Sequence, residues 1–134
     1  MFSFLNFRSN IIRIGFETMK KWMANHDPTP VFIINTLSIS EQHCLLLNTL
    51  EASQEEKVIN EFVQDYNFNI ILVVYGKNAH DPSAENKCKE LMKLGFTKVH
   101  WFVGGMFEWL LLQELYGKEE FPTTHDCKDL LYYR

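Results

Sequence analysis

Cysteine and clustered positive charge are both scarce in this chain, and each shortage removes a class of protein. The three cysteines, Cys44, Cys88 and Cys127, are odd in number and widely spaced. No CxxC pair exists, so neither a disulfide framework nor a zinc ribbon is supported, and a reducing intracellular setting is expected. Lysine and arginine total 13 against 17 acidic residues, a formal charge of −4, and they form no block. A nucleic-acid surface, which needs a basic patch, is therefore not expected. Long apolar runs are missing as well: Ile70–Tyr75 (IILVVY) and Val31–Ile34 (VFII) are far too short to cross a bilayer. The N-terminal stretch MFSFLNFRSNIIRI is interrupted by Arg8 and Arg13 and lacks the cleavage site of a secretory signal. Repeats and low-complexity segments are absent. These readings predict a cytoplasmic protein with neither a nucleic acid nor a membrane among its partners.

What is present suits one globular domain over residues 1–134. Hydrophobic residues make up 46% and charged residues 22%, enough for a packed core. A helix is expected over Gly15–Ala24, with Phe16, Met19, Lys20 and Met23 on its packed stripe. The turn residues Asn25–Pro30 stop it. Val31–Thr36 reads as a strand buried on both faces. Ser38–Cys44 is loop-like, and Leu45–Asn48 reads as a brief edge strand. Ser53–Glu56 matches a capping box, and the helix after it places Val58, Ile59, Phe62 and Val63 on one face. Ile70–Tyr75 is a second buried strand and Ser83–Leu94 a helix. Thr97–Val103 is a third strand and Met106–Tyr116 a final helix. Residues 117–134 form a tail that packs back through Phe121, Leu130, Leu131 and the tyrosines. Strands alternating with helices imply an α/β fold with a mainly parallel central sheet of about five strands and helices on both faces.

The order of features in Ile70–Trp109 carries a resemblance: a buried strand, a polar loop, a helix, a Leu94-Gly-Phe96 turn, a strand, then Gly104-Gly105 leading to Trp109. This order resembles the C-terminal half of a rhodanese-like domain, with the best-matching core over residues 31–116. In that family the loop after the first of these strands begins with a nucleophilic cysteine that carries a persulfide. The pattern then runs two residues, glycine, one residue, arginine, serine. Here Gly76 stands at the cysteine, Ala79 at the glycine and Asp81 at the arginine, and Ser83 falls one place late. The strand end that the family writes Asp-x-Arg is Asn35-Thr36-Leu37. The resemblance thus implies the scaffold without its usual chemistry, in a divergent branch lacking the active-site cysteine.

The loop Gly76, Lys77, Asn78, Ala79, His80, Asp81 and Ser83 is the equivalent of the family's active site. Sulfur transfer needs a thiolate nucleophile, and no side chain in this loop supplies one. Asp81-Pro82 reads as a helix start, with Asp81 at the N-cap and Pro82 at the first helical position. A carboxylate there takes up donors that an anion would use, and it reverses the charge the arginine would bring. Lys77 and His80 are two potentially cationic groups that suit a phosphate, a sulfate or an acidic side chain, against the plainer reading that they are solvated loop residues.

Elsewhere the bland readings prevail. Cys88 shares a helix face with Ala84, Leu91 and Gly95 and belongs in the core. His43 and Cys44 are neighbours that point apart in extended backbone. His125 and Cys127 are two ligands where zinc needs three or four, and they read as a mobile tail. No catalytic residue, metal or cofactor is assigned. The helix MFEWLLLQELYG leaves almost no polar side, more than an amphipathic helix over a sheet needs. Trp109 is its core anchor. Phe107, Leu111 and Leu115 form a possible interface, covered either by the tail or by a partner protein or second copy. The leading expectation is a catalytically inactive rhodanese-like domain acting as a protein-binding or structural module. The alternative is a sulfurtransferase or phosphate-handling enzyme using a non-standard nucleophile or the altered loop.

Overall fold

The computed structural model describes residues 11–24, 29–127 and 129–134. The element order is β1 (Ile12–Ile14), α1 (Phe16–Met23), β2 (Val31–Asn35), α2 (Ala52–Gln64), β3 (Ile71–Tyr75), α3 (Ser83–Leu94), β4 (Lys98–Phe102) and α4 (Gly105–Tyr116). Short 3-10 turns lie at Ile39–Glu41 and Leu130–Tyr133. Four strands form one sheet in the order β1-β4-β3-β2, and every pair is parallel. Strand β3 sits in the middle, with Ile71 opposite Val31 on one side and Lys98 on the other.

Covering both faces of the sheet explains why β2 and β3 are nearly continuous apolar runs. Side chains alternate along β3. Val73 and Tyr75 join Met19, Met23, Phe102, Met106 and Trp109 on the face covered by α1 and α4. Leu72 and Val74 join Ile59, Ala84, Cys88 and Leu91 on the face covered by α2 and α3. Trp109 is fully buried, with Phe102 and Phe121 edge-on to its ring. Truncating a tryptophan in such a site costs about 3–5 kcal/mol. The tail meets it directly, since Trp109 Nε1 donates to the Pro122 carbonyl at 3.1 Å and Gln113 Nε2 to that of Phe121 at 2.8 Å.

Several expectations need correction. Among the described residues the sheet has four strands, where about five are expected. Leu45–Asn48 does not add an edge strand, because Asn48 adopts φ +68 and breaks the extended run. Single bridges remain there, Leu46 to Thr123 and Ile33 to Thr49. Conversely, β1 is a strand that the sequence reading passed over. The helix containing Ser53–Glu56 begins at Ala52 behind Glu51, without a side-chain cap. A capping box is found instead at Ser38–Glu41, where Ser38 N donates to Glu41 Oε1 at 3.1 Å. In the tail, Phe121 and Tyr133 are buried as expected, but Leu131 and Tyr132 face solvent. The expected turn falls mostly on residues 25–28, outside the described residues, as do the first ten positions of the N-terminal stretch. No helix among the described residues is long and apolar enough to cross a membrane.

Candidate functional site

Ligands of parallel sheets bind beyond the carboxyl ends of the strands, where loops meet helix N-termini. Strand β3 delivers Gly76 to that place. The carbonyls of Gly76 and Lys77 accept from Met106 N and Phe107 N, both at 3.0 Å, so the loop is stitched to the first turn of α4. This junction requires Gly105, which adopts φ +65; a Cβ on it would lie 2.6 Å from the Gly76 carbonyl oxygen.

The loop spends its own donors internally. Asn78 Oδ1 accepts from His80 N at 2.9 Å, and the Asn78 carbonyl accepts from Asp81 N at 3.3 Å. Asp81 Oδ1 accepts from Ser83 N at 2.9 Å. Asp81 therefore closes the start of α3, which spans Ser83–Leu94 as expected; the cap position itself falls on Pro82, one residue after the Asp81 predicted for it. Backbone donors at a helix start are what holds an anion, and here a resident carboxylate and a resident amide use them.

The space into which a side chain at residue 76 would project is also taken. A Cβ there would meet Thr36 Oγ1 at 2.9 Å and Ser83 Oγ at 3.4 Å. These two hydroxyls are hydrogen-bonded to each other at 2.8 Å. Lys77 and His80 do not converge on the spot. Lys77 Nζ pairs with Glu41 Oε2 at 3.1 Å and lies 5.6 Å from the centre of the Tyr132 ring, while His80 is exposed. Burial pushes the Glu41 carboxyl up, but bonds from the Ser38 hydroxyl and Ser38 N–H, together with Lys77, hold it below the usual carboxylate range.

The C-terminal turn lies against this loop. Asn78 Nδ2 donates to the Tyr133 carbonyl at 2.9 Å, and the Tyr133 ring is 1% exposed in the core while its hydroxyl finds no partner. Beside it, Ala79, His80, Phe107, Glu108, Leu111 and Arg134 line a mostly apolar groove of about 350 Å³. Burial, and then the nearby Glu17, raise the Glu108 carboxyl above its usual range. Phe107 and Leu111 thus form a wall of the groove, and Leu115 continues the stripe one turn further, 67% exposed. The tail covers Trp109 but leaves Leu111 and Leu115 exposed.

The cysteines bring the largest correction. Cys44 and Cys127 are joined in a disulfide, with Cα atoms 5.7 Å apart across 83 positions. That separation lies within the usual span of such a bond. Two cysteines read from sequence as an unsupported framework and a mobile tail are in fact one staple. The unpaired Cys88 is buried as expected, and burial, then Glu85, push its thiol up to about 12. His43 is exposed and Cys44 is not, so the neighbours do point apart. Among the described residues no group of His, Cys, Asp and Glu could hold a metal ion.

Thr36, Glu41 and Tyr133 all shape the site, and sequence reasoning assigned none of them to it. Only Glu41 left a readable signal, the Ser38-x-x-Glu41 spacing of a capping box.

No family model matches the sequence, and no curated protein is recognisably similar to it. The fold does match solved structures. One is Ygr203w of Saccharomyces cerevisiae, described as a homolog of single-domain rhodanese and of the Cdc25 phosphatase catalytic domain. It shows a TM-score of 0.67 and 12% identity over 92% of this chain and 93% of that one. The Alr3790 protein from Anabaena gives a TM-score of 0.61 at 18% identity, over 89% of this chain and 97% of that one. The BH2092 protein from Bacillus halodurans gives 0.61 at 11% identity, over 76% and 73%. At these identities the likeness is one of fold.

Proposed function

We propose that this chain, which has the rhodanese fold, is a catalytically silent protein-binding module. The observation that carries the reading is the loop 76–83. Its nucleophile position is a glycine backed by the Thr36–Ser83 hydroxyl pair, and its own side chains bond His80 N and Ser83 N. Ygr203w is described both as a rhodanese homolog and as a protein tyrosine phosphatase. The resemblance implies a cysteine for rhodanese chemistry and a cysteine and an arginine for phosphatase chemistry. Positions 76 and 81 of this chain carry glycine and aspartate.

The binding face is the groove and stripe formed by Phe107, Leu111 and Leu115. Apolar side chains rimmed by His80, Glu108 and Arg134 fit a protein partner or a second copy of the chain better than a small anion. The test has two arms. The purified chain is expected to turn over neither thiosulfate with cyanide nor an aryl phosphate. Its association with partner protein or with itself, followed by light scattering and affinity capture, is expected to be lost in Phe107→Glu and Leu111→Glu variants that keep the wild-type circular dichroism. Turnover that disappears in a single Cys→Ser or His80→Ala variant would overturn the reading in favour of an enzyme with a non-standard nucleophile.

A further inference from the structure

We propose that the Cys44–Cys127 disulfide is a reversible redox-modification site that controls access to the loop 76–80 and its groove. Its bearing on partner binding rests on the reading just given. The tail is held in two unequal parts. Residues 121–124 are anchored independently of the disulfide: Leu47 N donates to the Pro122 carbonyl at 3.3 Å and Thr124 N to that of Leu45 at 2.8 Å. The last turn is held chiefly by the burial of Tyr133, with few polar ties to the rest of the chain. Leu131 is 59% and Tyr132 52% exposed, and Tyr133 is buried with an unsatisfied hydroxyl. The turn's ties to the loop are the hydrogen bond from Asn78 Nδ2 and Lys77 Nζ over the Tyr132 ring. A phenol that gives up its water without gaining a partner offsets part of what burial of the Tyr133 ring contributes, and so weakens the seat of this turn. The disulfide opposes departure by holding the turn close to its seat.

The bond is placed to be reached from one side. Cys44 is fully buried, whereas Cys127 is partly exposed. A thiolate of a dithiol reductant attacks Cys127 Sγ, the S–S bond breaks, and Cys44 leaves as a thiolate that takes up a proton. The second thiol of the reductant, as its thiolate, then attacks its partner sulfur in the mixed disulfide. Cys127 is released as a thiol, and the reductant is left as a cyclic disulfide, two electrons having passed to the protein. With the staple open, Tyr133 leaves the space beside Asn78 and Arg134 leaves the end of the groove. Groove and vacated slot then form one longer depression under the loop. The oxidised chain carries the short groove, the reduced chain the long one.

The experiment is hydrogen–deuterium exchange of the full chain, oxidised and after dithiothreitol, with Cys127→Ser as a permanently open form. Alkylation under denaturing, non-reducing conditions should first modify one cysteine, Cys88; three modified cysteines would overturn the proposal. On reduction, amides of 129–134 and 76–80 should exchange about tenfold faster while those of β3 stay protected. Cys127→Ser should match the reduced pattern with or without dithiothreitol. Unchanged exchange, or loss of protection in β3 as well, would overturn it. None of these readouts involves a partner, so failure of the binding reading in the Phe107→Glu test leaves them intact.

Discussion

Placing a cysteine at residue 76 is expected to give an ordinary thiol, not an active one, and the structure sets the size of the shortfall. An unperturbed cysteine titrates near pH 8.5, and activated ones are lowered to about 3.5–7.5 by donors and cations. Around residue 76 the N–H groups of His80 and Ser83 are already bonded to Asn78 Oδ1 and Asp81 Oδ1 at 2.9 Å. A hydrogen bond to a charged group contributes about 1.5–3 kcal/mol, so two withheld donors remove about 3–6 kcal/mol. At about 1.36 kcal/mol per pKa unit, that forfeits roughly 2–4 units of activation. The Asp81 carboxylate adds repulsion, and the new Cβ, 2.9 Å from Thr36 Oγ1, forces the Thr36–Ser83 pair to shift. The Gly76→Cys thiol should therefore titrate at or above about pH 8.5 and sustain no sulfur transfer from thiosulfate. The assay is the pH dependence of iodoacetamide alkylation read by intact mass. Its background is low, since Cys44 and Cys127 are paired and Cys88 is buried with its thiol pushed up to about 12. Adding Asp81→Asn should lower the midpoint. A single-variant midpoint below about pH 7, or persulfide turnover, would refute the argument that the loop's donors are spent.

Two further outcomes follow from the same region. Gly105→Ala places a Cβ 2.6 Å from the Gly76 carbonyl oxygen and 3.1 Å from Asn78 N at φ +65. Backbone atoms cannot rotate aside, so urea unfolding should show a loss of about 2–4 kcal/mol, beyond the 1–2 expected for left-handed backbone alone. Glu108→Gln should raise the melting temperature at neutral pH. Because burial and Glu17 hold the folded Glu108 pKa above its unfolded value, its favourable contribution is complete below the unfolded pKa and is lost as pH rises through the folded one. The variant's advantage should accordingly shrink in acid, and a gain that is constant with pH would contradict the assignment.

How much the sequence discloses varies with the range of the interaction. The runs at Val31–Asn35 and Ile71–Tyr75 are legible because a strand covered on both faces must be apolar throughout. Strand β1 is not: it has three residues, and its Arg13 lays its guanidinium over Trp101 at 5.2 Å, an edge-strand solution that shows no period. The departures at Gly76, Ala79 and Asp81 are legible one by one. The Thr36–Ser83 pair and the seating of Tyr133 are not, because they join residues 47 and 55 positions apart. The staple left no local pattern either, since its halves lie 83 positions apart.

The closed hydrogen-bond circuit of loop 76–83 also bears on mutational reach. A route from this loop to one that carries a thiolate cannot be walked in single useful steps. A cysteine at 76 alone meets occupied donors, and removing Asp81 alone uncaps α3 while supplying no nucleophile. Freeing His80 N means altering Asn78, whose amide also holds Tyr133. Each change forfeits packing or a cap before any chemistry compensates. The scaffold is thus separated from the thiolate state by a valley of at least a few substitutions, and directed evolution toward sulfur transfer would need to start from a combined loop replacement.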